Sequence, residues 1–274
     1  AQYGGGIASW SQGTTTLNGT TISNNRAVST TGWGNGGGIS INNTGTLNIN
    51  DGVIKGNQSL QGGGVGAYNT ATVNISGKTV ISGNTVTENG GGGFCGYGSS
   101  KYIVGDGVQI KDNHATGNNS GGGAVALWGT ATATIGRATL DGNDAQYGGG
   151  IASWSQGTTT LNGTTISNNT ALSTTGWGNG GGISINNTGT IDINDATISG
   201  NQSIYGGGVG AYDTAVVNVN GNTSINNNRT TENGGGGIAA SGSSAINLNS
   251  ATISANEAPF GSGVGVWNSA EIIM

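Results

Sequence analysis

The chain repeats itself on two scales, and nothing else in it constrains the fold so tightly. Residues 1–46 and 145–190 differ at only two places, Arg26 against Thr170 and Val28 against Leu172. The match continues more loosely, with residues 62–68 (GGGVGAY) matching residues 206–212 at the same offset of 144. Inside this large unit a glycine run followed by an apolar residue recurs ten times. The apolar position falls at Ile7, Ile39, Val65, Phe94, Ala124, Ile151, Ile183, Val209, Ile238 and Val264, in steps of 26–32 residues. A period of this size indicates a solenoid, built from units that cannot bury a core alone.

Each period holds two more apolar columns. The second is Leu17, Ile49, Ile75, Val104, Ile135, Leu161, Ile193, Val219 and Leu248. It follows the first by 10 residues in eight of nine coils and by 11 in the fifth. The third is Ile22, Ile54, Ile81, Ile110, Leu140, Ile166, Ile198, Ile225 and Ile253, five or six residues later. From there to the next first-column residue the distance varies from 11 to 17, so one corner takes up nearly all the length variation, as a surface loop does. Around the columns apolar and polar residues alternate, as in Ile39-Ser40-Ile41 and Leu47-Asn48-Ile49, the signature of a half-buried strand. The expectation is an all-β, right-handed parallel β-helix of about ten coils with three short strands per coil. It forms one solenoid over 1–274, with a super-repeat dividing it into 1–144 and an incomplete second copy, 145–274.

An asparagine follows each third-column residue by three positions: Asn25, Asn57, Asn84, Asn113, Asn143, Asn169, Asn201, Asn228 and Asn256. Asparagine tolerates turn conformations and bonds local backbone. Stacked at one corner, each amide can also bond its neighbours above and below. These nine residues are read as an internal asparagine ladder.

Composition now has a context. Glycine supplies 59 of 274 residues, roughly three times the usual ~7%, yet lacks the three-residue period of collagen. Seven Lys+Arg against twelve Asp+Glu, for a net charge of −5, argue against a nucleic-acid partner, which needs a basic surface. A single cysteine, Cys95, excludes an internal disulfide framework. No run of apolar residues is long enough to insert in a membrane as a helix.

The arrangement Ile-x-x-Asn-x-Ala followed by Gly-Gly-Gly-Ile resembles repeats of right-handed parallel β-helix proteins secreted to bacterial surfaces. Polymorphic outer-membrane proteins carry a similar pair, an aromatic-x-x-Asn element and a Gly-Gly-(Ala/Ile/Leu) element. Residues 36–61 and 180–205 also resemble repeats of large secreted bacterial proteins, autotransporter-type adhesin passengers among them. The resemblance covers nearly the whole chain and implies an extracellular or cell-surface adhesin, passenger or fibre. The chain departs from the pattern in having an aliphatic residue where the outer-membrane repeats have Phe, and it carries no autotransporter barrel or anchor.

Some β-helices act on polysaccharides, which requires paired carboxylates or a base with a neutralising cation. Here the acids are scattered. Asp51 and Asp195 occupy one repeat position 144 residues apart, and Asp192 lacks a basic partner nearby in sequence. The basic residues Arg26, Lys55, Lys78, Lys101, Lys111, Arg137 and Arg229 fall at different coil positions. No catalytic residue, cofactor or metal site is expected. The sole histidine, His114, follows a ladder asparagine onto a corner and has no second His or Cys to join it. Cys95, one residue after a core position, should point outward.

Two outward patterns remain. Three residues after the first column stand Trp10, Asn42, Tyr68, Tyr97, Leu127, Trp154, Asn186, Tyr212, Ser241 and Trp267. The aromatic members, Trp10, Tyr68, Tyr97, Trp154, Tyr212 and Trp267, form a candidate ligand or packing surface. They can stack on sugar rings, pack against a neighbouring rod, or cover loops of their own coil. Trp33 and Trp177 sit in the two longest loops. On the second strand Thr14, Thr46, Thr72, Thr132, Thr158 and Thr190 share one outer position, but only three of nine coils give the Thr-x-Thr pair that a flat ice-binding face would need. The chain starts and stops in mid-coil without a visible cap. The reading is therefore a non-enzymatic extracellular rod, structural or adhesive, that self-associates end to end or side by side or continues into further coils. The alternative is an adhesin that binds carbohydrate through the aromatic row.

Overall fold

The computed structural model describes residues 1, 3–10, 12–28, 36–173, 179–232 and 234–274. Among them every regular element is a strand of two to five residues. The strands stack in parallel from coil to coil into sheets of ten, ten, nine and eight strands. In the first sheet Ile7 pairs with Ile39, in the second Leu17 with Ile49, and in the third Ile22 with Ile54. The three apolar columns are thus the inward residues of three sheets, and the fold is a parallel β-solenoid.

The first column slips at one place. Phe94 pairs with Val125, and Val125 with Ile151. Ala124 instead occupies the last position of the glycine run, its backbone nitrogen donating to Gly150 O at 3.0 Å. With Val125 in the column, the second column follows the first by 10 residues in all nine coils. The odd spacing in the fifth coil was a shifted assignment, not an insertion.

The fourth sheet is an addition to the expected three. Its strands are pairs such as Gln58–Ser59, Thr85–Val86 and His114–Ala115, directly after the ladder asparagines. The inward residues, Ala27, Ser59, Val86, Ala115 and Ala145, are small and buried. They sit where the chain returns toward the glycine run, and the solenoid is narrow there. A Cβ on Gly37 would lie 2.3 Å from Gly63 O of the next coil, so close backbone approach excludes a side chain. Gly122, at φ 69°, needs glycine for its backbone as well.

The second sheet turns two residues per strand inward, as with Leu47 and Ile49 or Ile191 and Ile193, all buried. The fourth coil fills its interior with aromatics. Phe94 and Tyr102 stack with centroids 4.1 Å apart at 17°, and the Tyr102 hydroxyl donates to Cys95 O at 2.8 Å. The sixth coil has Ser153 and Thr159 inward, and neither buried hydroxyl has a hydrogen-bond partner.

The asparagine ladder runs unbroken from Asn25 to Asn256. Asn143 shows the pattern. Its backbone N–H and its Nδ2 both donate to Asn169 Oδ1 at 2.9 Å. Its Nδ2 also donates to Ile110 O at 3.0 Å, and its own Oδ1 accepts from the backbone and side chain of Asn113. One amide therefore satisfies buried groups in the coils on either side.

Candidate functional site

The first sheet ends at a corner, and the residue three places after each inward first-column residue stands on the outer side of the coil, just past the strand in most coils and within it at Trp128 and Trp154. With the fifth coil correctly phased, this row reads Trp10, Asn42, Tyr68, Tyr97, Trp128, Trp154, Asn186, Tyr212, Ser241 and Trp267, and Trp128 pairs with Trp154. Leu127, expected in the row, points into the core and is buried. Seven of the ten positions are therefore Trp or Tyr.

The rings do not stand up into solvent. The middle residue on the outer face of each strand is small, for example Ser40, Gly66, Cys95, Ala126, Ala152 and Gly210. Aromatic side chains fold back over this stripe. A Cβ on Gly66 would come within 2.9 Å of the Tyr68 ring, and one on Gly265 within 2.2 Å of the Trp267 ring. Tyr68 and Tyr212 are consequently buried at 6% and 5% exposure, whereas Trp10 is 48% exposed. Tyr97, Trp128, Trp154 and Trp267 are half-buried. Of the roles open to the row, covering their own coil is the one taken by Tyr68 and Tyr212. Trp33 and Trp177 lie outside the described residues.

Four consecutive members stack along the rod. Tyr68 and Tyr97 lie 5.4 Å apart at 5°, Tyr97 and Trp128 4.7 Å apart at 8°, and Trp128 and Trp154 5.3 Å apart at 27°. These centroid distances are close to the strand spacing of ~4.8 Å, so the backbone sets the pitch of the rings. Tyr147 meets Trp154 edge-on at 5.5 Å, and Tyr3 meets Trp10 edge-on at 4.8 Å.

Cys95 lies on the outer face, as its position required, but it is sealed beneath this cover with Tyr68 and Ala126, against Tyr97 and Trp128. Burial lifts its thiol from 9.0 to about 12. Burial likewise holds the hydroxyls of Tyr68, Tyr97 and Tyr102 above the ordinary tyrosine range. The thiol is a packing residue in the folded chain, closed to disulfide chemistry.

Beside the row runs a column of turn residues with φ between 58° and 77°: Asn43, Asn69, Gly98, Gly129, Asn187, Asp213, Gly242 and Asn268. The Asn69 amide donates to Asn42 Oδ1 at 3.2 Å, and that of Asn43 to Trp10 O at 2.9 Å. At Gly98 and Gly129 the side chains stop. A groove of about 450 Å³ opens there, lined by Trp10, Asn42, Tyr68, Asn69, Tyr97, Gly98, Trp128 and Gly129. The aromatic excess was legible in the sequence. The groove was not, because it depends on Trp128, which the phase slip concealed, and on which turns carry glycine.

Several of the aspartates are employed in the frame. Asp51, Asp106 and Asp195 each accept the backbone N–H of a turn in the next coil, from Lys78, Arg137 and Asn222 at 2.8, 2.9 and 2.9 Å. Asp192 accepts from Asn218 Nδ2 at 2.7 Å, part of a second amide ladder on the outer face of the second sheet. Asn74 donating to Asn48 at 2.8 Å and Asn247 to Asn218 at 2.7 Å belong to it too. The threonine column does stack, Thr14 on Thr46 on Thr72, until Lys101 interrupts it. A larger polar groove of about 680 Å³ is lined by Asp106, Arg137 and Asp195 among others, and both carboxylates are the turn acceptors just described. His114 lies in a fourth-sheet strand, not a loop, and its Nδ1 bonds Asp144 Oδ1 of the next coil. Among the described residues no three of His, Cys, Asp and Glu gather as a metal site. No helix there is long and apolar enough to cross a membrane.

Compared with known proteins, the chain matches no family model, no curated protein and no solved structure.

Proposed function

We propose that this chain is a non-enzymatic structural and adhesive rod of an extracellular or cell-surface assembly. The observation that carries the reading is the use of its polar side chains. The ladder amides from Asn25 to Asn256 bond coil to coil, and the carboxylates of Asp51, Asp106, Asp192 and Asp195 bond the adjoining coil. An enzyme keeps such groups free for a substrate; here they hold a frame. The resemblance to bacterial surface repeats points the same way. Low charge suits the role, since a rod held by apolar columns and amide ladders has little need of ion pairs. Self-association end to end or side by side, or continuation into further coils, belongs to this proposal, as does the aromatic row as the adhesive surface.

The test is protease shaving and antibody labelling of intact producing cells. The reading expects labelling at the surface and loss of the protein on shaving. Labelling only after lysis overturns it.

A further inference from the structure

We propose that the groove spanning the first five coils binds an uncharged glycan, laid along the rod axis. This names the ligand and the site for the adhesive half of the function proposed above, and rests on it.

Three observations carry the assignment. The groove's lining combines aromatic rings, Trp10, Tyr97 and Trp128, with the amides of Asn42 and Asn69. Sugars present both an apolar C–H face and hydroxyls, so rings and amides together answer their chemistry. No charged side chain lines the groove, which disfavours an acidic polymer or a peptide that needs a counter-ion. Its volume of about 450 Å³ lies within the ~300–1,000 Å³ of small-molecule sites, and it crosses several coils, which suits an extended chain rather than a single sugar.

The internal repeat supplies a comparison within the same molecule. The second copy aligns Trp154, Asn186, Tyr212, Ser241 and Trp267 with Trp10, Asn42, Tyr68, Tyr97 and Trp128. The frame is retained, but Asp213 replaces Asn69, Ser241 replaces Tyr97 and Asn268 replaces Gly129. The first change brings in a charge, the second removes a ring and the third puts a side chain back on the turn. The second copy thus has the corner with a gap in its aromatic floor, and the last two differences are ready-made substitutions. Asn268 adopts φ 58° at the turn where Gly129 has 74°, so the backbone conformation there accepts asparagine, and Gly129→Asn asks only that the Gly98 carbonyl, 2.9 Å from the new Cβ, give slightly. Filling the groove this way leaves every ring in place.

The experiment measures binding of the whole chain to cello-oligosaccharides and manno-oligosaccharides, with oligogalacturonate as the charged counterpart. Tryptophan fluorescence and calorimetry are the readouts, and circular dichroism checks that each variant folds. The proposal expects a neutral oligosaccharide to bind, oligogalacturonate to bind more weakly, and both Tyr97→Ser and Gly129→Asn to weaken binding at least about tenfold. Phe260→Ala, an exposed ring outside both the groove and the aromatic row, should leave it unchanged. Neutral-glycan binding that survives Tyr97→Ser and Gly129→Asn overturns this site while leaving an adhesive rod standing. A preference for oligogalacturonate overturns the assignment of ligand class. No binding to any of the three at millimolar concentration overturns the glycan proposal and leaves only the structural reading.

Discussion

At the scale of single residues, the ladder asparagines bear the most. Replacing Asn143 by Ala removes the acceptor for Asn113 and the donor to Ile110 O, both buried. Each such orphaned group costs ~1–3 kcal/mol, so Asn143→Ala is expected to lower unfolding free energy by about 3 kcal/mol or more in chemical denaturation. Asn25, partly exposed at the first coil, has a neighbour on one side only, and Asn25→Ala should cost clearly less. Cys95 gives a second residue-scale prediction. Its thiol and the covering tyrosines bind their protons more tightly folded than unfolded. Their folded-state pKa values are raised, so the stabilisation is whole below the ordinary thiol value of 9.0 and is lost as pH rises toward about 12. The expected outcome is a Tm that declines through this alkaline window, with a smaller decline in Cys95→Ala. In mildly alkaline buffer iodoacetamide should label Cys95 only after denaturation, and labelling of the native chain would contradict the sealed aromatic cover.

At the scale of strands and coils, the sixth coil is the weak layer. Its inward Ser153 and Thr159 are buried without hydrogen-bond partners, where other coils place Ile41 or Ile185 and Leu47 or Ile191. Thr159→Val keeps the shape and removes an unsatisfied hydroxyl, and should stabilise the chain by about 1 kcal/mol, read as a raised Tm. The same scale shows what the sequence could tell. The three columns and the ladder were legible because long aliphatic side chains and one amide recur at fixed offsets from one another. The fourth sheet was not, since its two-residue strands turn inward only Ala, Ser, Val or Thr, which carry little apolar signal. The slip at Ala124 and Val125 had its signal in the one coil spaced 11 instead of 10. Two small apolar residues after a glycine run compete for one place, and the register of neighbouring coils decides between them. How the aromatics lie was hidden for another reason. It follows from the small residues beneath them, Gly66, Cys95 and Ala126, a stripe that became visible only when coils were stacked.

At the scale of the whole molecule, ten stacked strands at ~4.8 Å make a rod of roughly 45 Å, in which each coil touches only those beside it. Stability should then be nearly a sum over coils and their interfaces. The duplicated segments tolerate exchange at this level: grafting residues 145–171 over residues 1–27 changes only Arg26 to Thr among the aligned positions, and should leave the circular dichroism spectrum and Tm essentially unaltered. Function at this scale is a matter of shape and surface, a stiff frame displaying one aromatic corner. The most direct test is electron cryo-microscopy of the native assembly on producing cells. The account predicts solenoid density with a repeat of ~4.8 Å along its axis, built into an extended surface filament or layer. Discrete intracellular particles, with this chain as a subunit around an enclosed active site, would contradict it.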